Sequence, residues 1–65
     1  MTAGQAGLME ELLRTHERLE KLEQLFNIAT DEVEIEALIY EERAERLRYS
    51  ALLRRAKEAD RQEVL

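Results

Sequence analysis

The sequence predicts an all-α protein: a two-helix antiparallel hairpin that pairs with a second copy to form a dimeric four-helix bundle. Three observations support this fold. Proline is absent and both glycines, Gly4 and Gly7, lie within the first seven residues, so nothing later in the chain breaks a helix outright. Apolar residues recur at alternating steps of four and three along two segments. A helix-capping pattern separates these two segments.

The first helix is predicted over residues 8–28, after a flexible tail at residues 1–7. The tail is small, polar and glycine-containing, which disfavours regular structure. The helix carries a heptad seam made of Leu8, Leu12, Thr15, Leu19, Leu22, Phe26 and Ala29. Glu10 and Arg14 are spaced i,i+4 on an outer face, and such a pair stabilises a helix by about 0.2–0.5 kcal/mol.

The segment NIATDEVE between the helices carries a helix-start signal rather than a proline or a glycine. Asp31 and Glu34 fit a capping box, in which Asp31 accepts from the backbone of the next turn and Glu34 reaches back. Asn27 is the candidate for a left-handed residue that ends the first helix. The alternative is one continuous helix of about 50 residues, which would need a partner along its whole length.

The second helix is predicted over residues 31–61, so that the hairpin occupies residues 8–62. Its main apolar stripe, which is expected to face the first helix, consists of Val33, Ala37, Tyr40, Ala44, Leu47 and Ala51. In the antiparallel register that this implies, most facing pairs set a large side chain against a small one. The predicted hairpin core comprises Leu12, Leu19, Leu22, Phe26, Ala37, Tyr40, Ala44, Leu47 and Ala51.

A second apolar set on the other side of this helix predicts self-association. Its members, the interface candidates, are Leu38, Tyr49, Leu52, Leu53 and Ala56. An isolated hairpin would leave them in water, and a contiguous apolar patch usually marks an interface. The second helix also extends beyond the end of the first helix over residues 53–61. Both features favour a homodimer built as a four-helix bundle.

The charge pattern of the second helix favours one orientation of that dimer. Residues 31–45 contain seven acids and one base, whereas residues 46–61 contain six bases and two acids. Antiparallel packing of two copies would set acidic halves against basic halves. The simpler explanation, that the charges complement the helix dipole, is compatible with the same pattern.

No catalytic, cofactor-binding or metal-binding residue is predicted, and the chain is not expected to be an enzyme. His16 and Glu20 are spaced i,i+4, but the Glu-x-x-His pattern of di-metal bundles is missing because Leu13 occupies its glutamate position. The carboxylates of Glu42 and Glu45 are expected to point away from the first helix. We therefore interpret these groups as a solvated charged surface.

Composition points to a cytoplasmic protein without a membrane anchor. The net charge is −5 and cysteine is absent, which argues against general nucleic-acid binding and against a disulfide framework. No apolar run is long enough to span a membrane. Residues 1–7 lack the basic and apolar regions of a signal peptide, so none is expected. A small basic end, formed by Arg54, Arg55, Lys57 and Arg61, is diluted by neighbouring acids.

The segment from Leu25 to Lys57 resembles the YaaL-like family of small proteins of Gram-positive bacteria. The shared pattern comprises Phe26, Thr30-Asp31, Ile39-Tyr40-Glu41, Ala44, Arg48-Tyr49 and the run Leu53-Arg54-Arg55-Ala56-Lys57. Family members often have proline where this chain has Glu32. The resemblance implies a small cytoplasmic helical protein and supplies no known activity.

From these features we expect a non-enzymatic protein–protein interaction or adaptor module that self-associates and has a protein partner of unknown identity. The alternative is a regulator that contacts nucleic acid, or a nucleic-acid-processing protein, through the basic C-terminal half. The two differ in salt dependence, because phosphate binding weakens steeply with salt and apolar helix packing does not.

Overall fold

The structure, a computed structural model, describes the backbone of residues 3–64 and the side chains of residues 3–61. It consists of two helices, α1 (Ala3–Ile28) and α2 (Glu32–Val64), and only residues 29–31 of the described range lie outside them. The helices pack against each other as an antiparallel hairpin, a rod of 51 × 14 × 13 Å. The prediction of an all-α, two-helix hairpin is confirmed.

α1 begins five residues before its predicted start. Residues 3–7, which were expected to form part of a flexible tail, are therefore helical. Alanine and glutamine favour helices, and each glycine costs only about 1 kcal/mol relative to alanine. A Cβ placed on Gly7 would meet no neighbouring atom, so Gly7 lies on the side of α1 that faces open space. α2 likewise extends beyond its predicted end at residue 61, to Val64.

Asp31 starts α2 in the manner of an N-cap residue. The backbone N–H of Val33 donates to the Oδ1 of Asp31 at 2.8 Å, and the N–H of Ile35 donates to the Asp31 carbonyl at 2.9 Å. Glu34 lies exposed in the first turn, where its negative charge suits the helix dipole. Among the described residues no hydrogen bond joins Glu34 back to Asp31, so the reciprocal half of the expected capping box is not formed.

α1 ends without a left-handed residue. No residue of the described range has a positive φ, so Asn27 does not adopt the conformation expected of it. Instead the N–H of Ala29 donates to the carbonyl of Leu25 at 3.0 Å, which continues helical hydrogen bonding to the edge of the turn. A turn of only three residues then brings the two helices side by side.

The two helices meet along a seam with heptad spacing on both sides. The α1 side is the predicted one, and its buried or half-buried members are Leu8, Leu12, Thr15, Leu19, Leu22 and Ala29. The inner face of α2 consists of Ile35, Leu38, Glu42, Glu45, Tyr49, Leu52, Ala56 and Ala59. Leu38 and Leu52 are the most buried apolar side chains, at 6% and 5% exposure. Thr15 is fully buried, and its hydroxyl donates to the carbonyl of Glu11 at 2.8 Å.

The structure reverses the two faces that were assigned to α2. Leu38 and Leu52, predicted to contact another chain, are buried against α1, whereas Tyr40 and Leu47, predicted to close on α1, are exposed. Each face contains one tyrosine, but the buried face has three larger aliphatic side chains, Ile35, Leu38 and Leu52, and the exposed face has only Val33 and Leu47. Burying the inner face therefore removes more aliphatic surface from water.

Candidate interaction surface

The outer stripe of α2 is an extended apolar surface that no other part of the described hairpin covers. This outer stripe consists of Val33, Ala37, Tyr40, Ala44, Leu47 and Ala51, all of which are exposed. Val33, Tyr40 and Leu47 keep 77%, 63% and 73% of their surface in contact with solvent. At 1.5 Å per residue the stripe is about 27 Å long. Scattered exposed apolar residues are normal, but a stripe at heptad spacing is the pattern of a helix-packing surface.

The outer stripe and the inner face lie on nearly opposite sides of the same helix. At 100° per residue, their mean directions differ by about 150° over residues 33–52. α1 therefore covers one side of α2 and leaves the outer stripe open along its whole length. A helix that is apolar on two sides is typical of an element packed between two neighbours.

Charged side chains border the outer stripe, and their sign changes along it. Glu34, Glu36 and Glu41 flank its first half, and all three are exposed. Arg48 flanks the second half, Arg55 lies one turn beyond its end, and both are exposed. The surface around the stripe is thus acidic near the turn and basic toward the other end of the rod.

The inner face contains two carboxylates that sequence reasoning had placed on the outside. Glu45 lies beside α1: its Oε1 accepts from Arg48 Nη1 at 2.6 Å, and its Oε2 lies 3.7 Å from Nη1 of Arg18 in α1. This Oε2 is buried and accepts no hydrogen bond. Glu42 binds Arg46 of the next turn at 2.7 Å. These ion pairs let an acidic residue occupy the seam, because each negative charge has an arginine within reach.

A shallow groove on one side of the seam contains the residues that most resemble an active site. It has a volume of about 490 Å³ and is lined in part by His16, Glu20, Tyr49 and Ser50. The His16 and Tyr49 rings are 6.4 Å apart across the two helices, and His16 Nε2 lies 3.1 Å from the Glu20 carboxylate. Ser50 has no bonded base in the described structure, so the groove lacks the arrangement that activates a nucleophile.

No metal site can be built from the residues that the structure describes. They contain no group of three or more His, Cys, Asp or Glu side chains placed to hold an ion. In the same range neither helix has a stretch that is long and apolar enough to cross a membrane. The basic residues Arg54, Arg55 and Lys57 are exposed near the far end of α2.

The predicted site residues fall into three groups in the structure. Leu12, Leu19 and Leu22 lie on the seam as expected, whereas Phe26 is exposed. The α2 members of the predicted core form the outer stripe. Of the interface candidates, Leu38, Tyr49, Leu52 and Ala56 lie in the seam, and Leu53 lies exposed at its edge.

Sequence reasoning missed Ile35 and the two glutamates of the inner face. The available signal was the spacing itself, since Ile35, Leu38, Tyr49 and Leu52 fit one heptad frame if charged residues are allowed between them. A stripe without charges is the simpler prediction from sequence, but arginines within reach allow acidic residues in a narrow two-helix seam.

Comparison with known proteins places the chain in one family. A family model described as "Protein of unknown function (DUF2508)" matches residues 2–62. Neither the curated proteins nor the solved structures gave a match.

Proposed function

We propose that this chain, which belongs to the DUF2508 family of proteins of unknown function, is a non-enzymatic protein–protein interaction module that self-associates through the outer stripe of α2. The resemblance to YaaL-like proteins over residues 25–57 is compatible with this family membership, and a cytoplasmic location is part of the same proposal.

The observation that carries the proposal is the exposure of Val33, Tyr40 and Leu47 on one heptad-spaced stripe. Packing a large apolar side chain against another helix removes its surface from water, at about 25 cal/mol for each Å² of apolar area. Nothing within the described hairpin covers these side chains. A helical partner that covered the stripe would receive all three in one continuous contact.

The total surface of the molecule supports the same reading. The chain exposes 5517 Å², whereas a monomeric protein of 7.7 kDa exposes about 4,300 Å² by the usual scaling with mass. The surplus of about 1,200 Å² exceeds the 600–1,000 Å² or so that each partner buries in a standard interface. Two helices alone enclose only a narrow core, so a partner surface offers further burial.

Light scattering of the purified chain and of its Leu47→Asp variant tests the proposal. We expect the wild type to have twice the chain mass of 7.7 kDa and the variant to have the mass of one chain, because a buried carboxylate without a partner is strongly unfavourable. The variant should keep its helical circular dichroism, since residue 47 does not contact α1.

Leu13→Asp is the matched control. Leu13 is also an exposed leucine, at 59%, but it lies on α1 away from the outer stripe. This variant should remain dimeric. A wild-type chain that stays monomeric up to millimolar concentration, or a dimer that survives Leu47→Asp and dissociates with Leu13→Asp, would contradict the proposal.

A further inference from the structure

We infer that the partner on the outer stripe is a second copy of this chain, packed antiparallel about a two-fold axis that passes beside residue 42 of α2. This inference rests on the proposed function, and it adds the direction and the register of the pairing.

The outer stripe is complementary to itself about that axis. Residues equally distant from position 42 face each other in an antiparallel pair, which sets Val33 against Ala51, Ala37 against Leu47 and Tyr40 against Ala44. Every pair joins a large side chain to a small one, and each occurs twice because of the symmetry. Large-to-small alternation is what interdigitated helix packing needs. A parallel pair would instead set each large residue against its own copy.

The charges that border the stripe favour the same direction. In the antiparallel register, Glu34 and Glu41 of one copy lie near Arg48 of the other, and these side chains are exposed in the hairpin. Close to the axis Glu41 and Arg43 each approach their own counterparts, which opposes association at one point on each side. A parallel pair would set like charges together along the whole stripe. The antiparallel arrangement also places the positive end of each helix dipole beside the negative end of the other, which is favourable.

Mixed disulfide formation tests direction and register together, because the natural chain has no cysteine. One preparation carries Val33→Cys and the other Ala51→Cys, and the two are mixed and oxidised. In the proposed dimer these positions face each other, with Cα atoms within about 7 Å, which permits a disulfide. The two Val33 positions are about 27 Å apart, which does not. We expect the mixed disulfide to exceed each homodisulfide by at least about fivefold.

The controls separate this inference from the proposed function. A Leu13→Cys preparation measures disulfides from random collision, and adding Leu47→Asp to both reporters should reduce the mixed disulfide to that level. Dominant homodisulfides would establish a parallel pair, and collision-level disulfides in a dimeric sample would establish another face. Both results overturn the inference, although the first leaves the proposed interaction surface intact. A monomeric wild type would overturn both proposals.

Discussion

At the scale of single residues, the two tyrosines of α2 lie on different sides of the helix and have different surroundings. Tyr49 is half-buried against α1, with its ring 6.4 Å from that of His16, whereas Tyr40 lies on the outer stripe and is mostly exposed. Truncating a large side chain destabilises a protein only where the side chain is buried. The same substitution at these two positions should therefore have different consequences.

We expect Tyr49→Ala to lower the free energy of unfolding of the hairpin itself by about 1–2 kcal/mol. In a domain of this size, each kcal/mol lowers Tm by roughly 4–8 °C. Tyr40→Ala should weaken association instead. Thermal unfolding at about 5 µM and about 500 µM distinguishes them, since only association makes Tm depend on concentration. Tyr49→Ala should lower Tm at both concentrations, whereas Tyr40→Ala should lower Tm only at the higher one. The opposite pattern would show that the inner and outer faces are exchanged.

At the scale of the helix, the start of α2 depends on one side chain. The Oδ1 of Asp31 accepts the backbone N–H of Val33 at 2.8 Å, and no proline or glycine assists the turn. Asp31→Ala should cost about 1 kcal/mol in urea unfolding because this N–H loses its partner. Asp31→Asn keeps the acceptor and should cost much less. Equal losses for the two variants would mean that the charge at the helix end, rather than the cap, is the stabilising feature.

The helices and the cap could be predicted from the sequence because they depend on local rules. Missing helix breakers, heptad spacing in α1 and an aspartate before α2 act within a few residues. The choice between the two stripes of α2 depends on contacts between helices. In the sequence, Glu42 and Glu45 argue against burying the inner face. In the structure, ion pairs with Arg46, Arg48 and Arg18 allow them to lie there. Arg18 belongs to the other helix, so no local pattern contains this information.

At the scale of the whole molecule, the positions of the two faces restrict the shape of the proposed dimer. In a square four-helix bundle each helix contacts neighbours about 90° apart around its axis. The inner face and the outer stripe of α2 are about 150° apart instead. Pairing two copies through the outer stripe therefore places the two α2 helices in the middle and the two α1 helices outside. The four helices would form a layer rather than a square bundle, a distinction that the predicted four-helix bundle left open.

A distance between the two α1 helices tests this layer. Gln24 is exposed on the side of α1 away from α2, and the register that sets His16 beside Tyr49 places it near the level of the two-fold axis. With helix axes about 9 Å apart, spin labels at Gln24→Cys should be about 37 Å apart in the layer. In a square bundle whose two α1 helices lie side by side, they should be less than about 20 Å apart. Pulsed electron paramagnetic resonance measures this separation directly. The dipolar coupling between the labels should vanish when Leu47→Asp is added. A mean distance near the shorter value would refute the layer, because that distance requires contact between the two α1 helices.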